Sequence, residues 1–123
     1  MAEELDVEIL EEKYLSNPEA YELLKKIIDK IMEKEASVPR LLSKTLEYLK
    51  KFSKMDPESA KALRKTLKKY GFKEETIVMI INICPTTVDE LRPLLELEEK
   101  IIETETAEEI VETLRKYCKE ETS

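Results

Sequence analysis

Gly71 is the only glycine in 123 residues, and five prolines are the only other strong helix breakers. Few breakers among abundant Glu, Lys and Leu argue for an all-helical chain. The length is that of one domain, long enough for a helical core without disulfide or metal staples.

The helices can be placed by punctuation and periodicity. Asn17-Pro18 reads as an N-cap followed by Pro at the first helical position, opening a helix to about Glu35. Its apolar residues Leu23, Leu24, Ile27, Ile28, Ile31 and Met32 form a stripe wider than one neighbouring helix needs. Ser37 can cap a second helix with Pro39 in its first turn. The expected core face is Leu42, Leu46, Leu49 and Phe52, helped by Leu41, Thr45 and Tyr48. Asp56-Pro57 repeats the cap-plus-proline device, and a third helix is expected to bury Ala60, Leu63, Leu67 and Tyr70. Gly71 follows, where a C-cap with positive φ favours glycine.

A fourth helix, about 74–83, is apolar nearly all round and reads as central and buried. Pro85 ends it, because the residue before a proline is driven out of helical geometry. Thr87-x-x-Glu90 and Thr106-x-x-Glu109 read as capping boxes opening a fifth and a last helix. Pro93 should kink or shorten the fifth helix. The last is expected to turn Ile110, Val111, Leu114, Tyr117 and Cys118 inward. Ahead of all six, Leu5, Val7 and Ile9 alternate with Asp6 and Glu8, the pattern of a strand with one apolar face.

Composition excludes most chemistry. There is no His, so Cys84 lacks the usual base for a nucleophile. Two cysteines 34 positions apart form neither a zinc motif nor a disulfide scaffold, and reduced thiols in a cytoplasmic protein are expected. No glycine-rich loop cradles phosphate. The expectation is no catalytic residues, no metal, no cofactor and no small-molecule ligand. No apolar run approaches the ~20 residues of a membrane span. High charge with two Asn and no Gln fits a protein selected for heat.

Two features point to partners. A lone strand in a helical chain needs another chain's sheet for its backbone groups. The other reading is an acidic tail before an ordinary core helix. Charge is also segregated: residues 1–39 carry −6, residues 40–73 carry +8 and residues 74–123 carry −9. Arg40, Lys44, Lys50, Lys51, Lys54, Lys61, Arg64, Lys65 and Lys68 form a basic set that could meet RNA phosphates or the surface of an acidic protein. A solvated face balanced by the acidic thirds would look the same.

Three runs carry a resemblance. They are L-L-S-K-T-L-E-Y-L-K-K-F-S-K-M-D-P-E-S-A at 41–60, I-N-I-C-P-T-T-V-D-E-L-R-P-L-L at 81–95 and T-A-E-E-I-V-E-T-L-R-K-Y at 106–117. With Y-L-S-N-P-E-A at 14–20, they resemble the F-type stalk subunits of archaeal RNA polymerase, counterparts of the fourth subunit of eukaryotic RNA polymerase II. Pro93 departs from that pattern. The resemblance implies a strand and helix over 1–36, then a helical bundle over 37–123. That bundle would resemble the helicase-associated (HRDC-like) domain at the C-terminus of RecQ. It implies a non-enzymatic stalk component, in an obligate heterodimer with the larger, E-type half of the RNA polymerase stalk. Such a stalk supports DNA opening, transcript guidance, elongation and termination. Contacts with the E-type partner are expected from Leu5, Val7, Ile9, Tyr14, Leu15, Leu23, Leu24, Ile27 and Ile28, and contact with nascent RNA is expected to be weak and indirect. The alternative is a free-standing HRDC-like nucleic-acid-binding module.

Overall fold

The computed structural model describes residues 15–34 and 37–118, and these are arranged as six α-helices. They are α1 (Asn17–Lys34), α2 (Arg40–Phe52), α3 (Pro57–Lys68), α4 (Glu74–Ile83), α5 (Val88–Leu95) and α6 (Thr104–Tyr117). Among the described residues there is no strand. The strand expected over 5–10, together with Tyr14, lies outside them.

Local chemistry explains most boundaries. Asp56 caps α3 by accepting from Ser59 N–H at 2.7 Å, and Pro57 follows it, where a missing N–H costs nothing. Gly71 closes the turn after α3 at φ 79°, left-handed backbone that a Cβ would oppose. Cys84 ends α4 at φ 54°, the left-handed alternative left open once Pro85 disfavours right-handed geometry. Thr87 caps α5 by accepting from Glu90 N–H at 3.1 Å. With Pro93 inside it, α5 stops after eight residues.

Three starts differ from expectation. The cap of α1 is Ser16, not Asn17: Glu19 reaches back to accept from Ser16 N–H at 3.0 Å and from its hydroxyl at 2.7 Å. Asn17 N–H instead donates to Asn82 Oδ1 at 2.7 Å, tying the start of α1 to α4. α2 begins after Pro39 with no side-chain cap, so Ser37 does not serve there. α6 begins at Thr104, so Thr106 lies inside the helix and does not cap it.

The core is built by α3 to α6. Leu63, Leu67, Ile77, Ile80, Ile81, Leu91, Ile110 and Leu114 are fully buried in one cluster with Met55 and Ala60. Burying each large side chain contributes roughly 1.5–3 kcal/mol relative to leaving it exposed. The one-sided helices α3 and α6 bury the faces their periodicity marks. α4 buries Ile77, Ile80 and Ile81 but leaves Met79 and Ile83 exposed, so it is less enclosed than its sequence suggests.

α4 has no capping side chain at its own Lys73. The carboxylate of Glu98, from the loop after α5, accepts from Lys73 N–H at 2.9 Å and from Thr76 hydroxyl at 2.6 Å. An anion there also suits the positive end of the helix dipole. Burial pushes the Glu98 carboxyl up, but these hydrogen bonds outweigh it and hold it below the ordinary carboxylate range.

Candidate functional site

The unusual surface of this molecule is the α1–α2 hairpin. α2 packs on α1 and stands off the α3–α6 core. None of its thirteen residues is buried. Leu42, Leu46 and Leu49 are half-buried, as expected for the side that meets α1. Leu41, Thr45, Tyr48 and Phe52 recur at i, i+4, i+7 and i+11, which sets them on an adjacent stripe. That stripe faces outward: Leu41 is 75% exposed, Tyr48 57% and Phe52 45%. The expected core role of Leu41, Tyr48 and Phe52 is therefore corrected. Periodicity marks an apolar face without saying whether the same chain covers it.

α1 carries a partly open apolar stripe of its own. Of its apolar stripe only Ile28 is buried, at 7% exposure. Leu15, Leu23, Leu24, Ile27 and Ile31 are half-buried and Met32 is exposed. A contiguous exposed apolar patch on a small protein marks an interaction site more often than a solvated face.

Basic side chains border it. Arg40, Lys44 and Lys51 are exposed on the flank of α2 next to the aromatic stripe. Tyr48 and Phe52 pair with ring centroids 4.6 Å apart, and Lys51 Nζ lies 5.6 Å from the Phe52 centroid. Lys50 is exposed on another side of α2, and Lys54 is half-buried beyond it. The α3 lysines sit on a helix that α2 does not pack against. Lys61 is exposed and bonded to Glu22 of α1 at 2.7 Å; Lys68 is exposed and paired with Glu74 at 3.1 Å; Lys65 is exposed. The basic set thus divides between two helices.

Arg64 does not belong to that surface. Its side chain is only 10% exposed, wedged between α1, α3 and α4. It donates from Nε and Nη2 to the two oxygens of Glu19 at 2.9 and 2.7 Å, and from Nη1 to Glu74. Burial pushes the Glu19 carboxyl up, but hydrogen bonds from Arg64 and Ser16 more than offset it and leave it lowered. These bonds lock α1, and with it the hairpin, onto the core. Counting charges by segment missed this; the only signal was Arg64 next to Leu63 on a face otherwise lysine-rich.

The cysteines also differ from expectation. Cys84 and Cys118 are joined by a disulfide, so they are not separate thiols. They end α4 and α6, and folding brings the two ends together, which spacing along the chain could not reveal. Among the described residues no cluster of three or more His, Cys, Asp or Glu could hold a metal, and no helix is long and apolar enough to cross a membrane.

Comparison with known proteins decides the family. The RNA polymerase Rpb4 family model matches residues 14–118. The chain belongs to the RNA polymerase Rpb4 family. Three archaeal relatives, each a DNA-directed RNA polymerase subunit Rpo4, agree. That of Methanocaldococcus jannaschii is 38% identical over 112 residues, covering 89% of this chain and 88% of the relative. That of Sulfolobus acidocaldarius is 34% identical over 98 residues, covering 79% and 85%. That of Saccharolobus solfataricus is 32% identical over 114 residues, covering 92% and 96%. The resemblance to an archaeal RNA polymerase subunit is thereby borne out, as membership of the Rpb4/Rpo4 type. These relatives span almost the same length as this chain, and the α1–α2 hairpin lies inside the matched region.

Proposed function

We propose that this Rpb4-family chain is a non-catalytic stalk component of an archaeal DNA-directed RNA polymerase. It forms a heterodimer with the larger, E-type half of the stalk and reaches the core polymerase through it. In that role it supports DNA opening at initiation, transcript guidance, elongation and termination, and it works in the cytoplasm. The carrying observation is the exposed apolar face of the α1–α2 hairpin, above all a thirteen-residue helix with no buried side chain. A helix carrying Leu41, Tyr48 and Phe52 in water leaves apolar area that a partner would cover with gain.

The contact set follows. Of the expected residues, Leu23, Leu24 and Ile27 on α1 and Leu15 just before it are partly accessible. Ile28 is buried within the chain itself. Leu41, Tyr48 and Phe52 join the set, so the partner-binding unit extends past residue 36 into α2. Leu5, Val7, Ile9 and Tyr14 remain assigned to the E-type partner as a donated strand and its continuation. The remaining helices form the HRDC-like domain.

One observation favours a second reading. Exposed Tyr48 and Phe52 beside Lys51 and Lys44 match the aromatic and basic platform that single-stranded nucleic acid uses. A free-standing nucleic-acid-binding module would use that platform without any stalk partner.

Size-exclusion chromatography with light scattering tests both, using the chain alone and mixed with the E-type partner of the same organism. A 1:1 complex lost in the Tyr48→Glu/Phe52→Glu variant, with helicity retained, is the expected result. A folded monomer that ignores the E-type partner overturns the stalk reading and leaves the nucleic-acid module.

A further inference from the structure

The end of α6 is held on the α4–α5 corner by two attachments. Arg115 donates from Nε and Nη2 to the carbonyl oxygen of Thr86 at 3.1 and 2.8 Å. Beside it, the disulfide joins Cys84 to Cys118, whose Cα atoms are 6.2 Å apart, inside the usual span of about 4.4–6.8 Å. The two sulfurs are unequal. Cys84 is 7% exposed and belongs to the core cluster, while Cys118 is half-buried at the end of α6. The body of α6 does not depend on the bond, because Ile110, Val111 and Leu114 are buried in the core on their own account. The last turn, from Arg115 onward, carries both attachments, with Tyr117 and Cys118 half-buried against the core.

We propose that Cys84 and Cys118 are a thiol–disulfide couple. Low-molecular-weight thiols and disulfides open and close it through Cys118, and its closed state clamps the last turn of α6 on the α4–α5 corner. Closing begins when the Cys118 thiolate attacks a small disulfide RSSR, breaking its S–S bond, forming Cys118–SR and releasing RSH. The Cys84 thiolate then attacks the Cys118 sulfur, forms the protein bond and releases the second RSH. Two protein thiols lose two electrons, RSSR gains them, and both thiol protons end on RSH. Opening is the reverse, and it starts at Cys118 because that sulfur is the accessible one. Intracellular disulfides occur as redox elements and in heat-adapted proteins, and this charge-rich, amide-poor composition fits the second setting. The couple lies away from the apolar stripe of α2, so it stands whether or not the stalk reading does.

The test uses the full chain equilibrated in a series of reduced and oxidised glutathione mixtures. Free thiols are trapped by alkylation and counted by intact mass, and amide exchange is followed at residues 115–118. The expected result is one transition from two thiols to none. The oxidised form should melt about 5–10 °C higher and protect residues 115–118, with α3 and α5 unchanged. Cys84→Ser should take up glutathione on Cys118, and Cys118→Ser should stay unmodified. Two free thiols at every mixture would overturn the couple. A bond that forms without protecting 115–118 would overturn the clamp. Adduct formation on Cys118→Ser in preference to Cys84→Ser would overturn attack at Cys118. The wild-type results decide the first two points even if a serine variant fails to fold.

Discussion

Arg64 of α3 meets Glu19 of α1 as a two-pronged pair, Nε on one oxygen at 2.9 Å and Nη2 on the other at 2.7 Å, with both side chains at least 90% buried. A guanidinium held this way satisfies its carboxylate in plane, and its remaining nitrogen reaches Glu74 of α4. Three helices are joined at one side chain. The pair's worth lies less in net energy than in the cost of breaking it, since a lone buried charge has no water to turn to.

Replacing Arg64 by Met strands Glu19, and we expect a loss of about 3–5 kcal/mol. Arg64→Lys should also destabilise, because an ammonium cannot present the two-pronged geometry. The double variant Glu19→Gln/Arg64→Met should recover most of the loss, since no unpaired charge then remains. Urea unfolding followed by circular dichroism gives all three values. An Arg64→Met midpoint equal to wild type would refute the locking role.

Acid should act on the same carboxylates. Glu19 and Glu98 both have their carboxyls held below the ordinary range in the folded chain. A group whose pKa is depressed by folding stabilises at pH values above its unfolded pKa, about 4.3 for Glu, and that contribution is lost as pH falls through the lowered folded value. The melting temperature should therefore hold between about pH 5 and 7 and fall below about pH 4. Thermal scans of the wild type and Glu98→Gln across that range check it, and the variant should show a shallower acid fall.

Glu98 caps α4 from 25 residues away, so its loss should resemble loss of a local cap. Glu98→Ala should cost about 1–2 kcal/mol and raise amide exchange at the first turn of α4. Unchanged exchange at Lys73 would show that the carboxylate does not hold that end.

The basic set gives a prediction that keeps stalk pairing and RNA contact apart. Reversing Lys50, Lys54 and Lys65 to Glu, and sparing Lys51 beside Phe52, should leave a complex with the E-type partner intact and weaken RNA retention by that complex severalfold at low salt. Filter binding across a salt series measures it. Equal retention at low salt would make these lysines a solvated face.

Much of the architecture was legible because it is local. Asp56-Pro57, Gly71, Cys84-Pro85 and Thr87 mark helix ends through backbone chemistry that neighbouring residues settle among themselves. The core faces of α3 and α6 were legible too, since helical periodicity needs only one helix. The α2 face was read correctly as apolar and wrongly as core, because amphipathicity does not name the surface that covers it.

What sequence alone determined, then, is the six helices of the described residues, where most of them end and half of them begin, and which sides are apolar. Tertiary structure decided which faces meet. It buried Arg64 against Glu19, sent Glu98 to the start of α4, joined Cys84 to Cys118 and left Leu41, Tyr48 and Phe52 in solvent. Each of these depends on residues far apart in the chain arriving at one place, and no pattern within a single helix encodes that meeting.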